Sequence, residues 1–188
     1  MNVSSLLIGK HNSTIRGKNY RKILGRPLCE YGLMAANNCK VIQNCFVSTD
    51  SYIIKDIALR YKVEIIDRPI DLAKKDSPTE FVFSHGYNEI KKKIGEQDYL
   101  VLMFANSPDI IPKYIEKGIS ILEENKKLDS VISLCKYNMF TPLRARKIND
   151  DKTTSPRLDL DALDIPNSFD RDAMGDIYFA DFAVQVVR

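Results

Sequence analysis

The 188 residues, 44% hydrophobic, are enough to fill one core and too few for two ordinary domains, so a single domain over 1–188 is expected. Twenty-eight Lys and Arg stand against 25 Asp and Glu, and the net charge of +3 gives no reason to invoke nucleic acid or an anionic membrane as partner. No apolar run approaches the roughly 20 residues of a membrane span, and Cys29, Cys39, Cys45 and Cys135 lack a CxxC pair, which reads as buried, reduced thiols in a cytoplasmic protein.

Short apolar runs alternate with stretches of helical period, the pattern of repeated βα units around a largely parallel sheet. Val3 to Ile8 reads as a first buried strand, and Pro27 opens a helix through Leu33, Met34 and Ala35 toward Cys39. Cys45 to Ser48 is a second strand, followed by a helix with Ile53, Ile54, Ile57, Ala58 and Tyr61 on one face. Val63 to Ile66 is a third strand. The tetrapeptide Ser77-Pro78-Thr79-Glu80 has the form of a capping box, so a helix is expected to begin near Ser77. Tyr99 to Phe104 is an apolar strand, Pro112 to about Lys126 a helix, and Asp129 to Leu134 a strand expected to be buried on both faces. Residues 149–167 are polar and Pro-containing, which reads as a loop or excursion. Ile177, Phe179, Phe182, Val184 and Val186 mark a late strand with a bulge near Asp181. Lys91 to Lys93 read as a solvated helix face.

Chemistry concentrates in residues 6–28, LLIGKHNSTIRGKNYRKILGRPL, where a buried strand feeds a loop bearing Lys10, Arg16, Lys18, Arg21, Lys22 and Arg26. In an open parallel sheet, ligands bind beyond the carboxyl ends of the strands, where this loop must lie. Converging cations suit phosphate, and Gly9 and Gly17 permit the close backbone approach that a phosphate cradle needs. The loop is neither a G-x-x-x-x-G-K-[ST] nor a G-x-G-x-x-G motif, and a merely solvated basic loop is the alternative.

The run G-K-x-x-S-x-x-R-G-K-N followed by G-R-P-L resembles the N-terminal signature of the acylneuraminate cytidylyltransferase family. The resemblance continues, in order, through VSTDS (47–51), DRPIDLAKKDSPTE (67–80), LVLMFANSP (100–108) and DSVISLCKY (129–137), and covers most of 3–148. It implies an α/β three-layer sandwich with a mostly parallel central sheet, the nucleotide-diphospho-sugar transferase-like, Rossmann-like fold. It also implies CMP transfer from CTP to an acidic sugar such as a nonulosonic acid, with release of pyrophosphate and with Mg²⁺ as cofactor. Lys18, Arg16 and Lys10 match catalytic cations, while Gly9, Ser13, Asn19, Arg68, Thr79 and Asn106 match the nucleotide-binding set. Partners implied are CTP, an anionic acceptor and a second copy, the homodimer forming through about 138–188.

Two departures from the family pattern stand out. Phe104 and Asn106 occupy positions where the sialic acid branch carries glutamine and threonine, and Asn106 also replaces an aspartate that binds metal in the octulosonate branch. The family's acidic metal pair falls beyond the late strand, so the metal ligands are unassigned and Asp176 and Asp181 do not inherit the role. A catalytically idle nucleotide-binding or assembly protein, a transferase for another acid such as a phosphonate, and one for another base remain alternatives. His11 reads as a phosphate contact or an incidental loop residue, and His85 as a core histidine beside Phe81 and Val82. Asp50 reads equally as functional or as part of a helix start. Arg144, Arg146 and Lys147 read equally as an acceptor site or a solvated face.

Overall fold

The computed structural model describes residues 1–138, 141–159 and 175–188. They fall into two compact units, one formed by Met1–Ser133 with Phe182–Arg188 and the other by Leu134–Asp181.

Among the described residues of the chain, strands β1 (Val3–Ile8), β4 (Asn44–Thr49), β5 (Glu64–Asp67), β6 (Tyr99–Phe104), β7 (Ser130–Lys136) and β10 (Tyr178–Val187) form a sheet of order β5-β4-β1-β6-β10-β7. β1 pairs parallel with both β4 and β6, β4 pairs parallel with β5, and β10 runs antiparallel to β6. Strand β1, including Ser4 and Ser5, is buried throughout because it lies between two strands and is covered on both faces. Val3 and Leu7 join Val101 and Met103 of β6 beneath α1 (Leu28–Asn37), α2 (Tyr52–Arg60) and α4 (Pro112–Glu124). The alternate residues Leu6 and Ile8 face Val82, Phe83 and Ile90 of α3 (Thr79–Ile94) with Leu100 and Leu102. Strand period two thus divides each central strand between two cores, and the result is the expected three-layer α/β sandwich.

The helix after the second strand buries Ile54, Ile57 and Ala58 with Ile53 and Tyr61 packed against the same core, as its periodicity predicts. The expected capping box at Ser77 does not form. α3 starts at Thr79 without a side-chain cap, and Ser77 Oγ instead donates to the carbonyl of Asp71 at 2.6 Å, closing the turn before the helix. Phe81, expected beside His85 on the inner face, is exposed, because Val82, Phe83, Gly86 and Ile90 form the face that meets the sheet. β7 is not buried on both faces: it lies at the end of the strand order, and only its first half is partly covered. The irregularity expected near Asp181 falls at Phe182, whose φ of 55° interrupts the extended backbone of β10.

In the second unit, part of the stretch expected to be a loop is a hairpin of β8 (Arg146–Ile148) and β9 (Thr154–Pro156). Asn149 and Thr153 hold its turn through backbone and side-chain hydrogen bonds. Residues 160–167 of that stretch lie outside the described residues. Between β1 and α1 the chain also makes a two-strand ribbon, β2 (Lys22–Ile23) with β3 (Arg26–Pro27), so the helix begins at Leu28 rather than on the proline. Lys91, Lys92 and Lys93 pair with Glu96, Glu89 and Glu64 on a solvated face. No helix among the described residues is long and apolar enough to cross a membrane.

Candidate functional site

Four parallel strands end on one edge of the sheet, at Ile8, Thr49, Asp67 and Phe104, and the chain leaving them is stitched together there. Gly9 N–H donates to Ser48 O, Arg68 N–H to Thr49 O and Ala105 N–H to Ile8 O, at 3.2, 3.2 and 2.9 Å. Beyond these ends lies an open cleft of about 240 Å³. Its rim takes Gly9, Lys10, Ser13, Lys18 and Asn19 from the loop after β1, Arg68 after β5, Thr79 at the start of α3, and Asn106 after β6. Every expected site residue except Arg16 therefore meets at one place. Arg16 lies exposed on the loop and does not line the cleft.

Each of these groups has a local reason for its position. Asn19 is buried and donates from Nδ2 to Lys10 O at 2.9 Å, clamping the two ends of the cationic loop. Ser13 Oγ donates to Ile15 O within the loop. Gly17, with φ of 69°, turns the chain into the short helical turn Lys18–Tyr20. Gly9 is required by packing: a Cβ there would stand 2.7 Å from Ala105 Cβ. The glycine lets β1 and β6 run close together at the cleft floor, which is a different reason from the phosphate approach its sequence context suggests.

Arg68 is the most constrained cation. Its side chain is buried, Nη2 donates to Ser48 O at 2.6 Å and Nε approaches Ser48 Oγ at 3.4 Å. Burial pulls its pKa down to about 10, while the nearby Asp50 carboxylate favours the charged form. The guanidinium remains cationic at neutral pH. Lys10 Nζ donates to Lys74 O at 3.2 Å, and Lys74 itself pairs with Asp71 at 2.6 Å on the turn Ile70–Ala73 that precedes α3. Lys74 and Leu72, which the sequence reading does not single out, line the cleft together with Ser77, which it reads only as a helix cap. The signal for them lay in the segment 67–80, but only the turn folds that segment back onto the loop after β1.

The remaining wall is apolar. Ile8, Val82 and Phe104 line it, with Phe83 and Phe182 packed edge-on against the Phe104 ring at centroid distances of 5.5 and 6.2 Å. His11 does not line the cleft, and instead contacts Ser51, Tyr20 and Tyr52. Asp50 accepts from His11 N–H, and Ser51 rather than Asp50 caps α2. His85 has a buried Nδ1 without a hydrogen-bond partner, so it is not the satisfied core histidine expected. Arg144, Arg146 and Lys147 are exposed in the second unit.

Four cations, two side-chain amides and the uncapped first turn of α3 thus converge on one cleft, a donor set for a polyanion. Among the described residues its lining has no carboxylate, and no three carboxylate, imidazole or thiol groups converge anywhere. The cleft lining therefore does not fit a Mg²⁺ ion held by protein ligands. Asp176 is paired with Lys136, which holds its carboxyl below the usual range.

A profile of the cytidylyltransferase family matches residues 11–154, well over half of the sequence. The chain belongs to the cytidylyltransferase family. The matched span of the chain contains Ser13, Lys18, Asn19, Arg68, Thr79 and Asn106, with Gly9 and Lys10 just before it. It is 22% identical over 137 residues to a Helicobacter pylori protein named pseudaminic acid cytidylyltransferase and UDP-2,4-diacetamido-2,4,6-trideoxy-beta-L-altropyranose hydrolase, covering 72% of this chain and 26% of that one. It is 24% identical over 152 residues to N-acylneuraminate cytidylyltransferase A of Danio rerio, covering 80% of this chain and 34% of the relative. The chain therefore spans about a quarter and a third of the lengths of these curated relatives. Among solved structures, a CMP:2-keto-3-deoxy-manno-octonic acid synthetase complexed with CTP superposes with a TM-score of 0.66 at 16% identity, covering 100% of this chain and 74% of that one. A 4-diphosphocytidyl-2C-methyl-D-erythritol synthase from Anaerococcus prevotii superposes at 0.61 with 20% identity, covering 99% and 69%. The nucleotide-sugar transferase fold is thus the fold of this chain.

Proposed function

We propose that the cleft binds CTP and that the protein transfers CMP from it to an anionic acceptor, a nonulosonic acid of the sialic acid type, releasing pyrophosphate. The observation that carries this reading is the meeting of Lys10, Lys18, Arg68 and Asn19 at the carboxyl ends of the parallel strands. That position is where an open α/β sheet holds its ligand, and the names of the two relatives supply the acceptor class.

In this reading an acceptor oxygen attacks the α-phosphorus in line. The bond from that phosphorus to the bridging oxygen breaks, and pyrophosphate leaves with the electron pair. Negative charge grows on phosphate oxygens during the step, and cations already fixed in place stabilise it without reorganising. Lys18 and Lys10 would sit on the triphosphate. Arg68, held by Ser48, would supply a fixed charge from the cleft floor. Asn19 would act by holding the loop closed through Lys10 O. Orientation of the two substrates contributes the rest of the rate. Mg²⁺ enters the proposal as an ion borne by the triphosphate, and no step above runs through it. A homodimer assembled through the segment after β7, working in the cytoplasm, completes the reading.

Calorimetric titration with the four nucleoside triphosphates tests the base: CTP is expected to bind in preference, and a preference for ATP or GTP would overturn the cytidine assignment. The carboxylate-free lining favours a second reading, a protein that binds CTP without turnover. It predicts affinity in that titration but no pyrophosphate release with any acceptor.

A further inference from the structure

His11 stands next to Lys10 but turns away from the cleft, and it is fixed on four sides. Its backbone N–H donates to Asp50 Oδ1 at 2.8 Å, and its Nδ1 shares a hydrogen bond with Ser51 Oγ at 3.0 Å. Its ring lies between those of Tyr20 and Tyr52, each with a centroid distance of 5.6 Å and an interplanar angle of 30°. These partners come from different parts of the chain. Tyr20 closes the far end of the cationic loop, one residue after Asn19, whereas Asp50, Ser51 and Tyr52 form the junction of β4 and α2. Ser51 Oγ also caps α2 by accepting from Ile54 N–H.

We propose that His11 is a positioning residue: a clamp that fastens both ends of the cationic loop to the start of α2 and so sets Lys10 and Lys18 over the cleft. The proposal rests on the reading that this cleft binds CTP.

The physical case is one of rigidity. A loop bearing several like charges repels itself and gains conformational freedom when its ends are released, and that freedom is lost again when a triphosphate binds. Lys10 Nζ donates to Lys74 O in an exposed contact that a bound triphosphate would compete for, so it is a poor anchor for the loop. Asn19 ties the loop's ends to each other and Tyr20 packs against the core, while His11 adds contacts that join both ends to the start of α2. A stacked ring with two hydrogen-bonded neighbours is stiff, so the lysines meet the ligand with little left to order. His11 touches neither the nucleotide nor the reacting atoms in this account.

The test is calorimetric titration of CTP into the wild-type chain and into His11→Ala, His11→Phe and Tyr52→Ala, with thermal unfolding recorded for each. His11→Ala is expected to bind CTP roughly tenfold more weakly, the combined effect of losing ring contacts and one hydrogen bond. His11→Phe keeps the stack and should recover part of the affinity. Tyr52→Ala trims a side chain that is 73% exposed, leaves the core intact, and should weaken binding about threefold even if His11→Ala fails to fold. With acceptor present, the KM for CTP should rise in these variants while the KM for the acceptor stays unchanged. A residue with only a structural role would lower the unfolding temperature and leave the CTP affinity of the folded protein alone; that result, in His11→Ala or Tyr52→Ala, overturns the clamp. If the wild-type chain itself does not bind CTP, the reading of the cleft fails, and the clamp fails with it.

Discussion

Arg68 donates from Nη2 to the backbone carbonyl of Ser48 at 2.6 Å, so the cation at the cleft floor is fastened to the end of β4 by a hydrogen bond that is itself buried. One guanidinium thus does two things. It satisfies a carbonyl at the strand end, and it places a fixed positive charge on the lining of the cleft.

Substitution separates these roles. Arg68→Ala leaves Ser48 O without its charged donor and should destabilise the protein by about 1–3 kcal/mol in urea unfolding. Arg68→Lys keeps a charge but lacks the planar fork that spans Ser48 O and Oγ, so it should recover stability only in part. Both should weaken CTP binding. Because the wild-type group loses its proton only as pH rises through about 10, its contribution to that binding should be flat between pH 7 and pH 8.

Gly9→Ala would force a Cβ to within 2.7 Å of Ala105 Cβ and 3.1 Å of Ile54 Cδ1. Neither neighbour moves freely, since Ala105 is backbone-bound and Ile54 is buried in the core. A loss of roughly 1–3 kcal/mol is expected from overpacking. The double variant Gly9→Ala with Ala105→Gly should restore part of it, and that non-additivity in urea unfolding is the measurement.

The four thiols should react unequally. Burial pushes the Cys29 thiol up to about 12 and also raises Cys39 and Cys45, so all three remain protonated at pH 8. Cys135 is exposed, contrary to the expectation that every cysteine is buried, because it lies in the open half of β7. Titration with a thiol reagent at pH 8 should label Cys135 first in the folded protein and all four cysteines after denaturation.

Much of this was legible in the residues themselves. The apolar positions of Val3–Ile8 and Tyr99–Phe104 announce central strands because both faces are covered and each strand is divided between two cores; the small Ser4 and Ser5 are buried within the first. The cations of the loop point to a cleft because Gly9 ends β1 and sheet topology decides where such loops lie. What escaped depends on hydrogen bonds and strand order that spacing rules do not contain. The Ser77 pattern looks like a cap, yet its hydroxyl is taken by Asp71, a competition that an i to i+3 rule does not contain. The β7 run is apolar enough to be central, and only its place at the end of the strand order shows that it is not. The β8–β9 hairpin is held by Asn149 and Thr153 rather than by an apolar face, so periodicity misses it. Lys74 enters the cleft because the turn at Ile70–Ala73 brings it beside Lys10, and His11 stacks on Tyr20 and Tyr52 outside it.

The central claim is that the convergent cations serve nucleotidyl transfer, and pyrophosphate release from CTP tests it most directly. Wild type and Lys18→Ala would be assayed with Mg²⁺ across a panel of nonulosonic acids and phosphonates. Release is expected to require an acceptor and to fall at least a hundredfold in Lys18→Ala, on the scale of losing one preorganised charge-stabilising group. Release that ignores the acceptor or survives the substitution unchanged would contradict the claim, as would no release from a wild-type chain that binds CTP.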